Sequence, residues 1–226
     1  MDNIRRIELF LHFHPSKLAC YILAAIMLVA CSVPEAIVAR APAGEILFKD
    51  DFSDPLSGWD QISAPTGETN YDGGSYRIWV NEPYTDLLAN PDLNFKDVRI
   101  EVEATGGGPD DNVFGVICRS NPAGDRYYFF VISSDGYYGI GKVDGADQKL
   151  LSAEMMMPSE TIRQGKLTNL LRADCIGDRL TFYVNNQKVA EVQDGAYTQG
   201  DIGLTAGSFG KQGVDIHFDN LTVAKP

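Results

Sequence analysis

In the stretch "VDIHFDN" near the C-terminus, Asp215, His217 and Asp219 alternate with Ile216 and Phe218. Successive side chains of a strand point to opposite faces, so the three ionisable groups share one side. His217 is the only histidine beyond the first thirty-one residues. Any histidine acting as base or metal ligand in the main body of the chain must therefore be this one, which makes it the weak candidate for catalysis. The neighbouring acids suit a hard cation with oxygen ligands. A structural calcium held by Asp51 and Asp219 is expected if the last strand lies beside the first; otherwise these acids cap turns or face water.

Other chemistry is thinly represented. Glu101 and Glu103 share a strand face with Arg99, and read as a solvated surface rather than a catalytic pair. No G-x-S-x-G elbow, H-E-x-x-H, Walker loop or G-x-G-x-x-G following a strand occurs. "TGGGPDDN" (Thr105 to Asn112) is glycine-rich but carries acids, so it repels phosphate and reads as a connection. With 31 Asp+Glu against 19 Lys+Arg and a net charge of -12, the chain offers no basic patch for nucleic acid.

Aromatic residues are the remaining resource. "YYFFVISSDGYYGIGKV" (Tyr127 to Val143) holds six in its first twelve positions. Sugars stack C–H faces on such rings while Asp, Asn, Arg and Gln bind their hydroxyls. Tyr127, Phe129 and Val131 share one face of the strand, and Tyr128, Phe130 and Ile132 the other. Both faces are apolar, so the strand is central in its sheet. With Phe129 assigned to the core, Tyr128 is the more exposed ring, joined by Tyr138 and Trp79. Arg119 and Asp174, on the parity opposite to Cys118 and Cys175, complete a mixed ligand face. The competing reading is that these aromatics only cover the sheet.

The elements that must position these groups are strands. "DVRIEVEA" alternates strictly, and "VFGVICR", "YYFFVISS", "YYGIGKV", "LLRADCI", "LTFYV" and "DIGLTAG" follow. Asp135-Gly136, Gly177-Asp178 and Asn185-Asn186 supply residues that tolerate positive φ at hairpin turns. No long amphipathic helix is evident. Short strands with turns every eight to twelve residues predict an all-β fold, an antiparallel two-sheet jelly-roll sandwich, in one domain over residues 45–226.

Ahead of it, Arg5, Arg6 and Lys17 precede the uncharged run "LACYILAAIMLVA" (Leu18 to Ala30), too short to span a bilayer as a helix. The run ends in "LVAC", which resembles a bacterial lipobox with Cys31 as the lipidated residue. Residues 1–31 are thus expected to be a lipoprotein signal peptide. Residues 32–44 form a flexible Ala/Pro-rich linker, and the mature protein sits lipid-anchored on the extracytoplasmic face of the cell membrane. Cys20 leaves with the leader, so Cys118 and Cys175 remain as an even pair in an exported domain, where disulfides persist. If bridged, they are expected to be neighbours on one face with Phe114, Val116, Leu171 and Ala173.

"DDFSDPLSGWD", "YVNNQKVAEV" and "IHFDNLTV" together resemble the concanavalin A-like lectin/glucanase superfamily, more narrowly its laminin-G-like and 3-keto-disaccharide-hydrolase-like modules. The resemblance spans residues 45–226 and rests on fold markers, none of them catalytic. It implies two antiparallel sheets, one with a face that in many relatives carries a carbohydrate site. The E-x-D-x-x-E strand motif of the family-16 glucanases on this fold is absent. The expected function is a non-catalytic cell-surface binding module for carbohydrate that needs no cofactor. The alternatives are a glycoside-processing enzyme resembling the 3-keto-disaccharide hydrolases, and a structural or interaction domain.

Overall fold

A computed structural model describes residues 44–226. The expected signal peptide, the expected lipidation at Cys31 and nearly all of the expected linker lie outside the described residues. The early strands are β1 (Ile46–Asp50), β2 (Ile62–Ala64), β3 (Gly67–Asp72), β4 (Ser75–Val80), β5 (Thr85–Ala89), β6 (Val98–Thr105), β7 (Asn112–Ser120) and β8 (Arg126–Ile132). The later ones are β9 (Tyr137–Asp144), β10 (Asp147–Leu150), β11 (Met157–Pro158), β12 (Thr168–Ile176), β13 (Arg179–Val184), β14 (Gln187–Gln193), β15 (Asp201–Ser208) and β16 (Val214–Ala224). No helix forms among the described residues.

The strands make two antiparallel sheets, a jelly-roll sandwich. One has nine strands in the order β14-β13-β12-β6-β16-β4-β3-β2, with β1 also on β16; the other has seven, β10-β9-β8-β7-β15-β5, with β11 on β9. The last strand does lie beside the first, Asp50 opposite Leu221. The turns fall where their residues allow: Asn185 and Asn186 at φ 49° and 66° join β13 to β14, and Gly136 at φ 99° closes the β8–β9 turn.

Alternation fills the space between the sheets. Ile100, Val102 and Ala104 on β6 and Ile216 and Phe218 on β16 meet Phe114 and Val116 on β7 and Phe130 and Ile132 on β8, all buried. The opening "DDFSDPLSGW" plugs one end of this core. Phe52 and Trp59 pack edge to face at 5.5 Å, while Asp50 accepts bonds from Trp59 Nε1 (3.0 Å) and the Phe52 amide (2.8 Å).

Cys118 and Cys175 are bridged, with Cα atoms 6.9 Å apart. Both point inward as the parity required, together with Phe114, Val116, Leu171 and Ala173. They are not neighbours on one sheet, however: Cys118 belongs to β7 and Cys175 to β12, so the bond crosses the sandwich and ties its two layers. One residue later the alternation breaks. The β7–β15 register shifts beside Arg119, whose φ is 57°. This bulge turns the guanidinium into the structure, where it donates to the carbonyls of Gly177 (2.8 Å), Tyr197 (2.8 Å) and Lys96 (3.2 Å) and pairs with Asp97.

On β15, the partner of the bulged strand, burial and the nearby Asp92 carboxylate push the Asp201 carboxyl up to about 6. The fold thus favours the protonated acid, and the stability this adds is present below the unfolded value of about 3.9 and lost as pH rises through about 6. Asp201→Asn should melt with wild type below pH 4 and increasingly above it as pH passes 6, levelling off beyond; calorimetric melting across pH 3–8 checks this.

A candidate ligand site on the outer face of the seven-stranded sheet

The two sheets turn very different outer faces to solvent. On the nine-stranded sheet that face is a lattice of paired charges. Asp174 is held by Arg99 (3.1 Å) and Arg172 (2.6 Å), and Arg172 stacks over Tyr183 at 4.3 Å. Arg77 grips Asp215 through both oxygens at 2.6 and 3.0 Å while covering Trp79 at 5.7 Å. Trp79 and Asp174 are therefore where a mixed face was expected, with ring and carboxylate already occupied by arginines. Glu101 shares this face but is buried rather than solvated.

Asp215, His217 and Asp219 project to this face together. Ser75 Oγ lies 2.9 Å from His217 Nδ1, and Asp215 Oδ1 lies 3.5 Å from Nε2. The order of groups is that of a nucleophile triad, but Ser75 Oγ donates to the Asp72 carbonyl at 2.7 Å. The carbonyl therefore competes with the imidazole for the single hydroxyl proton. Asp219 accepts from the Asn220 amide (2.7 Å), and Asp51 accepts from Ser53 N and Oγ. Ser53 holds the Asp51 carboxyl below its ordinary pKa. Among the described residues no three His, Cys, Asp or Glu side chains gather as a metal site.

Three expected ligand residues lie elsewhere. Tyr128 is fully buried in the core; its hydroxyl donates to Asp194 Oδ1 (2.6 Å) and accepts from the Tyr197 amide (3.0 Å). Phe129, assigned to the core, takes the outer face instead. The period of two gives the two groups of the aromatic strand but not which group points inward. Tyr138 is partly buried and packs against the core beneath β11. Arg119 is the interior clamp described above.

The outer face of the seven-stranded sheet carries Ile117, Tyr127, Phe129, Val131 and Val143 as a second apolar cluster. Five glycines alternate into the same face: Gly115 on β7, Gly139 and Gly141 on β9, Gly203 and Gly207 on β15. At three of them another side chain lies over the glycine. A Cβ at 141 would strike the Phe129 ring, one at 139 would meet Leu150 Cδ2 at 2.8 Å, and one at 207 would strike Asp86 Oδ1. The sheet is thereby hollowed. A depression of about 460 Å³ lies above Phe129 and Val131, rimmed by Tyr137, Phe209 and Met155 and by Asp86, Asp135, Gln148 and Lys149. Asp86, Val113, Phe129, Val131 and Gln148 also line a narrower adjoining recess with Tyr127 and Thr205.

Three polar side chains line this hollow with no hydrogen-bond or ion-pair partner among the described residues, the exposed Asp86 carboxylate and Gln148 amide and the Tyr127 hydroxyl. No buried side-chain nitrogen or oxygen of those residues is left unsatisfied, so all three are open to solvent. Desolvation raises the Asp86 carboxyl above its ordinary value. Burial, then the charge of Asp86, push the Tyr127 phenol up to about 12. An apolar floor with a few convergent, unspent polar groups is the composition of a small-ligand site. Neither Asp86 nor Gln148 stood out in the sequence. The signal that could have found them was glycine recurring on one parity of interior strands, which marks close approach by another group.

No protein-family model matches the chain, and no curated protein sequence does. Solved structures do. A carbohydrate-binding module of Bacillus subtilis, CBM66, superposes with a TM-score of 0.61 at 18% identity, covering 75% of this chain and 96% of the module. The Bacillus licheniformis beta-glucanase gives 0.60 at 12%, covering 81% and 99%. A lichenase from a mouse hindgut metagenome gives 0.59 at 10%, covering 78% and 98%. The fold is the concanavalin A-like sandwich. At these identities the likeness is one of fold.

Gly141→Ala should cost about 1–3 kcal/mol, because Phe129 must leave its place and take part of the hollow's floor with it. Denaturant unfolding of the variant against wild type measures the cost, and a neutral result would show that the ring does not depend on that glycine.

Proposed function

We propose that the domain is a carbohydrate-binding module that holds its ligand in the glycine-lined hollow without cleaving it. The observation that carries this is the set of unpartnered side chains, Asp86, Tyr127 and Gln148, over an apolar floor between the exposed rings of Tyr137 and Phe209. A sugar would lay a C–H face on the rim aromatics and return hydrogen bonds to the polar groups. The likeness to a carbohydrate-binding module and to glucanases is consistent with this. A disulfide joining the layers suits an oxidising, extracytoplasmic compartment. With Cys31 lipidated, the module would stand at the cell surface on a short linker.

Retention of the ligand intact is supported by the sequence, which lacks the E-x-D-x-x-E strand motif of the family-16 glucanases. The two carboxylates that line the hollow, Asp86 and Asp135, come from β5 and from the turn after β8, three strands apart.

A glycan array followed by calorimetric titration tests the proposal. Gln148→Ala should weaken binding about fivefold, one neutral hydrogen bond, and Phe209→Ala about tenfold, while Trp79→Ala on the opposite sheet should leave it unchanged. No binding to any glycan would refute the reading, and release of new sugar ends from a bound oligosaccharide would favour the enzymatic alternative.

A further inference from the structure

Resting on that reading of the hollow, we infer that its preferred saccharide carries a free amine, which sits as an ammonium against Asp86. The argument begins with where the carboxylate lies. Asp86 is on edge strand β5, opposite Gly207 in the β5–β15 ladder. Its side chain lies down across that glycine: a Cβ at 207 would strike Oδ1 and would meet Val113 Cγ1 at 2.9 Å. The carboxylate thus lies at the edge of the hollow, over Gly207 and beside Val113, and stays open to solvent.

Among the described residues no ion pair answers its charge. On the same sheet Lys142 is committed to Asp194, and Lys211, near the end of β15, makes no ion pair with Asp86. Lys149 lines the wider part of the depression but makes no ion pair with Asp86. Neighbouring groups raise the Asp86 carboxyl by desolvation, though the side chain keeps contact with solvent. A neutral hydroxyl would return one hydrogen bond and leave that charge in place. An ammonium would return the bond and the charge together, and such charge-assisted bonds are roughly twice as strong.

The rest of the lining decides that the amine belongs to a sugar. Tyr127 and Gln148 stand ready for ring hydroxyls, which a simple alkylamine lacks. Sugars bearing carboxylate or sulfate would place a second negative charge near Asp86 and Asp135, on a chain whose net charge is already -12. The ligand class is therefore a hexosamine-containing glycan with unacetylated amines, preferred over acidic glycans because two carboxylates line the hollow against the one lysine, Lys149.

Calorimetric titration of the exported protein with three oligomers tests this: a β-1,4-linked N-acetylglucosamine tetramer, the same tetramer fully deacetylated, and a uronate tetramer. At a pH that keeps the amine protonated, the deacetylated tetramer should bind about tenfold more tightly than the acetylated one, and the uronate should not bind. Added salt should narrow that gap. Asp86→Asn should erase the preference, and Gly207→Ala, which displaces the carboxylate without removing it, should reduce it; melting curves confirm that both variants fold. Equal or tighter binding of the acetylated tetramer, uronate binding, or a preference that survives Asp86→Asn would overturn the inference while leaving carbohydrate binding intact. Binding of none of the three overturns it too, and only silence across the whole glycan array would remove the underlying reading as well.

Discussion

Two sheets pressed face to face give every strand an inner and an outer side, and the inner sides must together make a dry, filled layer. The rest of this molecule follows from that constraint. Ile78, Ile100, Phe130 and Phe218 are wholly removed from water within it, and large aliphatic or aromatic side chains buried in this way supply roughly 1.5–3 kcal/mol each. The disulfide adds a covalent tie across the same layer, and by restricting the unfolded chain over a separation of 57 residues it contributes about 4 kcal/mol. With the interior so fixed, each strand's outward residues are left to serve some other end.

The two outer faces resolve that freedom in opposite ways. On the nine-stranded sheet, polar residues pair with one another: Arg172 with Asp174 and Tyr183, Arg77 with Asp215 and Trp79. Individually such surface pairs add little stability, but they leave few groups free for a ligand. On the seven-stranded sheet, β8 is apolar outward as well as inward. Phe129 and Val131 are kept from water only because Gly139 and Gly141 let neighbouring groups lie flat against the sheet. The same glycines leave a space that the chain does not fill. Polar groups at its edge, Asp86, Tyr127 and Gln148, have no work in holding the fold, which is why the site is placed there.

Much of this architecture could be read from the chain. Asp135-Gly136 and Asn185-Asn186 marked hairpins because few residues take the backbone angles those turns need, and "DVRIEVEA" announced a strand with one wet face. The site was harder, for a physical reason. Alternation tells which residues share a face but not which face is inside, so "YYFFVI" could not say whether Tyr128 or Phe129 was buried. Cys118 and Cys175 were correctly inward, yet nothing local distinguishes a partner on the same sheet from one across the gap. Arg119 was misplaced because a bulge shifts parity by one residue, and only the pairing with β15 reveals it. Asp86 gave no signal of its own; its position matters because Gly207, far along the chain, stands beneath it.

The central claim is that a saccharide enters the hollow of the seven-stranded sheet and not the charged face of the other. Amide chemical-shift mapping on titration with a glycan bound by the protein tests it most directly. The account predicts shifts concentrated at Asp86, Tyr127, Phe129, Gln148 and Thr205, with Trp79, Asp174, Tyr183 and His217 unmoved. Shifts confined to the latter group would contradict it.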